Sequence, residues 1–465
     1  MSTTVIGPSG PVAAPLRDLP GSPARFAPDR PGRWLGATLA AMLATLAAGL
    51  AIPGPMAMLV RALVPPASGM AMRSWVTPTL WAGYVLFVLT VILPFAVFLA
   101  WSCLGRRRPP ANAPRRWPSV SILIPAFDEQ EIILDAIHGA INQDYPDFEV
   151  LVIDDGSADL TAHLAATTPA RLIRLERNAG KAGALNRGLA EARGEVIVTA
   201  DADSYLDPAA LRHLVGPLAD PTVGGVAGQV RLFHPRGALR RFQVMEYDYS
   251  QGLLKRAQCA TAGTVLVAPG PVSAYRAGLL GDLGGFPDDT LTEDFDLTLM
   301  VVAAGRRVVY EPRAVAYTEA PRTDAELRRQ RIRWARGGFQ VLRKHRSMIG
   351  DRRRGLVGLF WLPFLIASWY AAIPITLGLT AAIPLLAWGS GAPGRFTACL
   401  GVYGLATLAV EVLTIVAGAL ASDWRDLRFL THAPLFVLYK KLRLDWFTVE
   451  ALVRECRRTP RAWHG

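Results

Sequence analysis

VLVIDDGS (Val150–Ser157) and VIVTADAD (Val196–Asp203) decide how this sequence is read. Each is an uninterrupted apolar and β-branched run that stops abruptly in carboxylates. Ile153 gives way to Asp154 and Asp155, and Ala200 gives way to Asp201 and Asp203. Two further strand-like runs, Val120–Ile124 and Leu172–Leu175, complete the set, and amphipathic stretches at Glu129–Ile141, Lys181–Arg193 and Pro208–Leu218 read as helices between and after them. The repeated β-α order predicts an α/β domain with a mostly parallel sheet flanked by helices. Ligands of such sheets bind in crevices beyond the carboxyl ends of the strands, so both acidic clusters are expected to face one crevice. No internal repeat interrupts the pattern.

Outward from this core the chain changes character. Its 465 residues are 51% hydrophobic, with a mean hydropathy of +0.25, which is high for a soluble protein and places part of the chain in lipid. The net charge of +12 sits largely in arginines beside apolar runs, which favours a cytoplasmic membrane flank and argues against nucleic acid as a partner. Residues 1–33 read as a disordered cytoplasmic tail rich in Pro and Gly. Residues 34–104 read as a transmembrane hairpin, with spans at Trp34–Val60 and about Thr77–Leu104. A cleaved signal peptide is a poor fit, because the first run starts far from Met1 and leads into a second. Arg106, Arg107, Arg108, Arg115 and Arg116 follow the hairpin and orient the polar domain, 116–354, toward the cytoplasm. Residues 355–453 read as interfacial and transmembrane helices, among them a crossing at about Thr397–Ala421. A final stretch there, Phe429–Val453, has mid-segment charges that suit a surface position. Residues 454–465 form a basic cytoplasmic tail, giving about four crossings of the cell membrane. Cys103, Cys259, Cys399 and Cys456 lack pairing or metal-ligand spacing, so neither a disulfide scaffold nor a zinc site is expected.

Each acidic cluster taken singly has a structural reading. Asp154 and Asp155, with Ser157 and Asp159, suit an Asx-type turn that caps the next helix. The Asp201–Asp203 triplet suits a turn leading to Asp207 and Pro208 at a helix start. Their conjunction with Thr292-Glu293-Asp294 and Gln330-Arg331-Ile332-Arg333-Trp334 is far more specific. A hard cation, Mg²⁺ or Mn²⁺, takes one or two carboxylates plus diphosphate oxygens, and Asp201 and Asp203 supply the carboxylates. Asp294 is the candidate general base for an acceptor hydroxyl. Its other role, a helix N-terminal carboxylate with Thr292 as cap, is compatible with catalysis. Lys181 and Arg333 are the candidate cations for a departing diphosphate. The turn Asn178-Ala179-Gly180-Lys181 lacks the spacing of a phosphate loop, which removes the main support for nucleotide hydrolysis. Trp334 reads equally as an interfacial anchor or as a flat face for a sugar ring.

The segments SILIPAFDEQ, VLVIDDGSADLT, NAGKAGALNRGL, VTADAD, GPVSAYR, GGFPDDTLTEDFDLTLMVVAAG and QRIRWARG together resemble the processive, membrane-bound members of glycosyltransferase family 2. That group contains the bacterial cellulose, chitin, hyaluronan and poly-N-acetylglucosamine synthases, and the likeness covers the chain after the tail. It implies a GT-A (Rossmann-like) catalytic fold, a nucleoside-diphosphate sugar donor, a UDP-sugar in particular, and inversion at the anomeric carbon. The resemblance places Asp154 at a uracil-type base, with Asp155, Glu129, Lys181 and Asp201 on the donor side. It gives the diphosphate and metal to Asp201 and Asp203, makes Asp294 the base, and assigns acceptor and diphosphate to Glu293, Gln330, Arg333 and Trp334. The segment Thr290–Tyr317, with Gly270 and Arg276, looks most like the poly-β-1,6-N-acetylglucosamine synthases. Asp128 departs from the family's usual Asn before Glu129, adding a negative charge near the nucleotide.

The expected function is therefore elongation of a β-linked exopolysaccharide, with a UDP-sugar, a glycan acceptor, the lipid bilayer and a small accessory membrane subunit as partners. Two alternatives are a non-processive transferase that makes a glycolipid, and a membrane transporter or receptor with a nucleotide-binding domain.

Overall fold

The computed structural model describes residues 116–457, apart from 234, 372 and 375–392. The expected tail and hairpin (1–104), residues 375–392 of the expected interfacial and transmembrane region (355–453), and the chain end from 458 lie outside the described residues.

Eight strands form one sheet: β1 (Val120–Ala126), β2 (Phe148–Asp154), β3 (Arg171–Arg174), β4 (Val196–Thr199), β5 (Ser204–Leu206), β6 (Val223–Leu232), β7 (Ser273–Arg276) and β8 (Arg307–Thr318). Their order is β3-β2-β1-β4-β7-β6-β8-β5. The first four run parallel. β7 is antiparallel to both β4 and β6, β8 is parallel to β6, and β5 is antiparallel to β8. The sheet is thus mixed, and its parallel half is the one the apolar runs announce.

Those runs lack polar alternation because both faces of the sheet are covered. Val120, Ile122 and Ile124 of β1 enter one core cluster, with Val150, Val152, Val196 and Val198. Leu123, Leu151, Ile153 and Ile197 point the other way into a second cluster. Full burial of each such side chain stabilises the fold by about 1.5–3 kcal/mol, so the strands are held from two sides. The register pairs Ala126 with Asp154 and Leu123 with Thr199, which brings the carboxyl ends of β1, β2 and β4 to one edge.

Helices α1 (Ile133–Ile141), α2 (Thr161–Ala166), α3 (Gly180–Glu191) and α4 (Ala210–Val215) occupy the intervening segments. α1 begins later than the expected Glu129, because Asp128 adopts φ 54° and the chain turns before it can coil. α3 lies close on the sheet at Gly188, where a Cβ would meet Ile153 Cδ1 at 2.8 Å.

Beyond β6, α5 (Ala238–Tyr247), a π-helical segment (Asp248–Lys255) and α6 (Arg256–Ala262) form one run. They are followed by α7 (Ala277–Asp282), α8 (Glu293–Ala303) and α9 (Asp324–Lys344). At the C-terminal side stand α10 (Pro393–Ser422), α11 (Ala433–Tyr439) and α12 (Asp445–Cys456). The π-helical segment meets α10 backbone to backbone, since a Cβ on Gly252 would come within 2.9 Å of Gly418 O. Arg231 pairs with Asp423 at 3.0 Å beside this contact. α12 is fastened to α9 by Arg336 Nε to Glu455 Oε2 (3.1 Å) and Arg328 Nε to Glu450 Oε2 (2.9 Å).

The expected crossing near Thr397–Ala421 falls on α10, which carries Glu411 in an ion pair with Lys440 at 2.9 Å. Among the described residues no helix is long and apolar enough to cross a membrane.

Candidate active site

The edge where β1, β2 and β4 end collects the first group of side chains. Asp155 ties this edge to the next helix: its N–H donates to Ala126 O (2.8 Å), and its Oδ1 accepts from Ala179 N–H (2.7 Å). Asp154 is fully buried; its Oδ1 accepts from Ser157 N–H (3.2 Å), and its Oδ2 lies 3.2 Å from Arg174 Nε. Asp154 thus stays within the turn and Asp155 reaches across to the start of α3, so neither caps α2; the carboxylate at the start of α2 is Asp159, whose Oδ1 accepts from Thr161 N–H (2.9 Å). Glu129, just past β1, donates its N–H to Thr161 Oγ1 (2.8 Å). Burial, and then the charges of Asp203 and Asp201, push its carboxyl up to about 7.

Asp201 and Asp203 follow β4. Asp203 Oδ1 accepts from Ser204 Oγ (2.9 Å), while burial and then Asp201 push its carboxyl up to about 6. Lys181, on the first turn of α3, reaches this pair. Its Nζ lies 2.6 Å from Asp201 Oδ1 and 3.3 Å from Glu293 Oε1. Burial works to discharge the amine, but Asp201 and Glu293 outweigh it and hold its pKa above the ordinary lysine value. Gly270 makes room for this bridge: a Cβ there would stand 2.7 Å from Lys181 Nζ and 3.3 Å from Asp201 Oδ1.

Glu293 and Asp294 open α8, where the helix dipole favours carboxylates. Glu293 is buried against Lys181, and Asp294 Oδ1 accepts from Phe295 N–H (2.8 Å). Burial and then Glu293 push the Asp294 carboxyl up to about 6, against the opposing pull of Lys181. A proton acceptor poised near neutrality results. Thr292 stands at the N-cap position, but its side chain makes no capping bond, and its buried hydroxyl has no hydrogen-bond partner among the described residues. It is pressed instead against α9, where a Cβ on Gly337 would approach Thr292 Cγ2 and Oγ1 within 2.6 Å. The expectation of a threonine cap is corrected by this close helix contact.

Gln330 and Arg333 precede Gly337 by seven and four residues and share its helix face, so α9 carries them along the flank of the Asp294 loop. Trp334 is exposed, and the Arg331 guanidinium lies 4.2 Å from its ring centroid. Arg331 is itself held by Glu246 at 2.7 Å.

Among the described residues no group of three or more His, Cys, Asp or Glu is gathered as a ready-made metal cage. Two crowded carboxylates, Asp201 and Asp203, whose charges both raise Glu129 and the first of which raises the second, fit a hard cation that takes its remaining oxygens from substrate and water.

One nearby residue escapes sequence reasoning. Lys255, at the end of the π-helical segment, is only 6% exposed; its Nζ has no hydrogen-bond partner among the described residues and lies 5.7 Å from the Tyr310 ring centroid. Burial pushes its amine down to about 7, with Asp294 opposing. No local pattern marks it, because its surroundings come from residues distant in the chain, Tyr310 and Asp294 among them.

Comparison with known proteins bears on the family and the fold. Residues 121–284 match the family described as Glycosyl transferase family 2. The chain is 30% identical over 256 residues to a poly-beta-1,6-N-acetyl-D-glucosamine synthase of Staphylococcus epidermidis, covering 54% of this chain and 62% of that one. It is 30% identical over 265 residues to the synthase of the same name from Staphylococcus aureus (strain COL), covering 56% and 64%. The matched region therefore spans less than two thirds of the length of these relatives. Among solved structures, a mannosyltransferase from Pyrobaculum calidifontis in complex with GDP-Man and Mn²⁺ aligns with a TM-score of 0.52 at 23% identity, over 81% of this chain and 98% of that one. That likeness shows a shared GT-A-like mixed α/β fold. Residues 121–284 thus carry a domain that matches glycosyl transferase family 2.

Proposed function

We propose that the protein is an inverting, metal-dependent glycosyltransferase that elongates a β-linked exopolysaccharide from a UDP-sugar at the cell membrane, with a product of the poly-N-acetylglucosamine kind. The observation that carries this reading is the Lys181 bridge. It joins the strand-end carboxylate Asp201 to Glu293 and so sets Asp294 beside the strand-end pair. An acceptor hydroxyl next to Asp294 gives its proton to the carboxylate as its oxygen bonds to the anomeric carbon. The bond from that carbon to the diphosphate oxygen breaks with its electron pair, and attack from the opposite face inverts the centre. Lys181 and Arg333 face the negative charge that the diphosphate gains. Asp201 and Asp203 would hold Mg²⁺ or Mn²⁺, which supplies a Lewis acid for the leaving group. Gln330, Arg333 and Trp334 line the acceptor side, and Glu129, Asp154 and Asp155 the nucleotide side.

The membrane setting has its own support in the C-terminal helices. Leu435, Leu438, Leu442 and Trp446 are exposed at intervals of three and four residues, forming one apolar stripe along α11, the π-helical turn Lys440–Leu444 and α12. Such a stripe is the pattern of a helix lying in a lipid interface.

Incubation of the full chain with a panel of nucleotide sugars, with and without Mn²⁺, tests the reading through released nucleoside diphosphate and product size. The expected result is metal-dependent release of UDP together with polymer. A single sugar on a lipid would favour glycolipid synthesis, and no release with any donor would remove the transferase reading.

A further inference from the structure

A cavity of about 400 Å³ lies on the far side of the Asp294 loop, lined among others by Asp289, Thr290, Gln340, Arg343, Lys344 and Arg346. Its charge is lopsided, with three cations on the wall against the single carboxylate of Asp289. Lys344 is committed, its Nζ lying 2.6 Å from Asp289 Oδ1 and 2.9 Å from the buried Asp296 Oδ2. Arg343 and Arg346 have no ion-pair partner among the described residues. Arg343 stands in the last turn of α9, where a cation complements the helix dipole. Arg346 lies beyond the helix end, so the dipole does not account for the pair.

The floor of the cavity is the anchorage of the loop that leads into Glu293 and Asp294. Thr290 Oγ1 donates to Asp296 Oδ2 (3.0 Å), His345 Nε2 meets Asp296 Oδ1 at 2.7 Å, and Gln340 Oε1 accepts from Leu291 N–H (3.0 Å). Whatever occupies the cavity touches groups that hold this loop.

We propose that this cavity is a second binding site, separate from the donor crevice, for a ligand that presents a phosphate group with up to two negative charges. Arg343 and Arg346 grip its oxygens with paired N–H donors, the geometry that guanidinium offers to phosphate. Occupancy steadies residues 289–296. The same chemistry is presented by a phospholipid headgroup and by a soluble phosphate compound. Exposed Leu356 and Leu359 follow closely in the chain, past Arg352–Arg354, and place an apolar surface near the site.

The test is hydrogen–deuterium exchange of residues 289–296 in the full chain in detergent micelles, which needs no sugar transfer. Wild type and the Arg343→Ala/Arg346→Ala double variant, whose two arginines are exposed, are compared with phosphatidylglycerol, with inorganic phosphate and with diacylglycerol, which has no phosphate. Exchange in the wild type is expected to slow by up to about tenfold when the ligand stands at about ten times its dissociation constant. The double variant is expected to lose that slowing. Slowing with phosphatidylglycerol alone assigns the site to a lipid headgroup, and slowing with inorganic phosphate assigns it to a soluble ligand. Each of these supports the proposal. No slowing in either charged arm, equal slowing with diacylglycerol, or equal slowing in the double variant overturns it.

Discussion

Lys181 Nζ stands 2.6 Å from Asp201 Oδ1, in a space that exists because residue 270 has no side chain. A methyl group at that position would lie 2.7 Å from the amine, yet the atom it displaces is the end of a flexible chain. Gly270→Ala is therefore expected to fold with stability within about 1 kcal/mol of the wild type, while kcat/KM for the donor falls by about tenfold or more. Thermal unfolding and steady-state kinetics check both halves. Unchanged kinetics would mean that the bridge plays no part in turnover.

The Asp294 carboxyl, raised to about 6 by burial and by Glu293, fixes a pH dependence. Its deprotonated form accepts the proton, so kcat/KM should rise with pH through about 6 and level off above it. A rate profile that is flat from pH 5 to 8 would contradict the assignment.

Much of this site was legible before the fold was known, for a physical reason. β1, β2 and β4 are covered on both faces, so their sequences are unbroken apolar runs whose ends are conspicuous, and Asp154, Asp155, Asp201 and Asp203 stand at those ends. The antiparallel half was not legible. β7 is four residues long, and β6 carries Gly225 and Gly228 where Tyr275 and Val272 crowd the backbone, which erases the apolar pattern of a strand. The start of α1 was misplaced because Asp128 takes a left-handed turn that residue type alone does not dictate. Thr292 has the sequence of a cap and the environment of a packing residue, a difference that only the approach of Gly337 reveals.

Lys255 gives a prediction about stability. Its amine is pushed down to about 7 from 10.5, so the folded chain binds fewer protons than the unfolded chain between those values. The resulting destabilisation is full below pH 7 and fades as pH rises toward 10.5. Lys255→Met is expected to stabilise the protein at pH 7 by roughly 2–4 kcal/mol, with the gain shrinking by pH 9.5. Thermal melts at the two pH values measure it, and equal gains at both would contradict a buried neutral lysine.

The contact of Gly252 with Gly418 predicts a cost for any side chain between the π-helical segment and α10. Gly252→Ala brings a Cβ within 2.9 Å of a backbone oxygen, which has no room to yield. A loss of about 1–3 kcal/mol is expected in chemical unfolding. No loss would show that these helices do not pack in this register.

The central claim is that Asp294 takes the proton of the acceptor while the strand-end carboxylates hold the donor's diphosphate through a cation. Turnover and donor affinity measured side by side for Asp294→Asn test it most directly. The account predicts a fall in turnover of about 10²–10⁴-fold with donor affinity close to that of the wild type. Turnover within a few-fold of the wild type at the same donor affinity would contradict it.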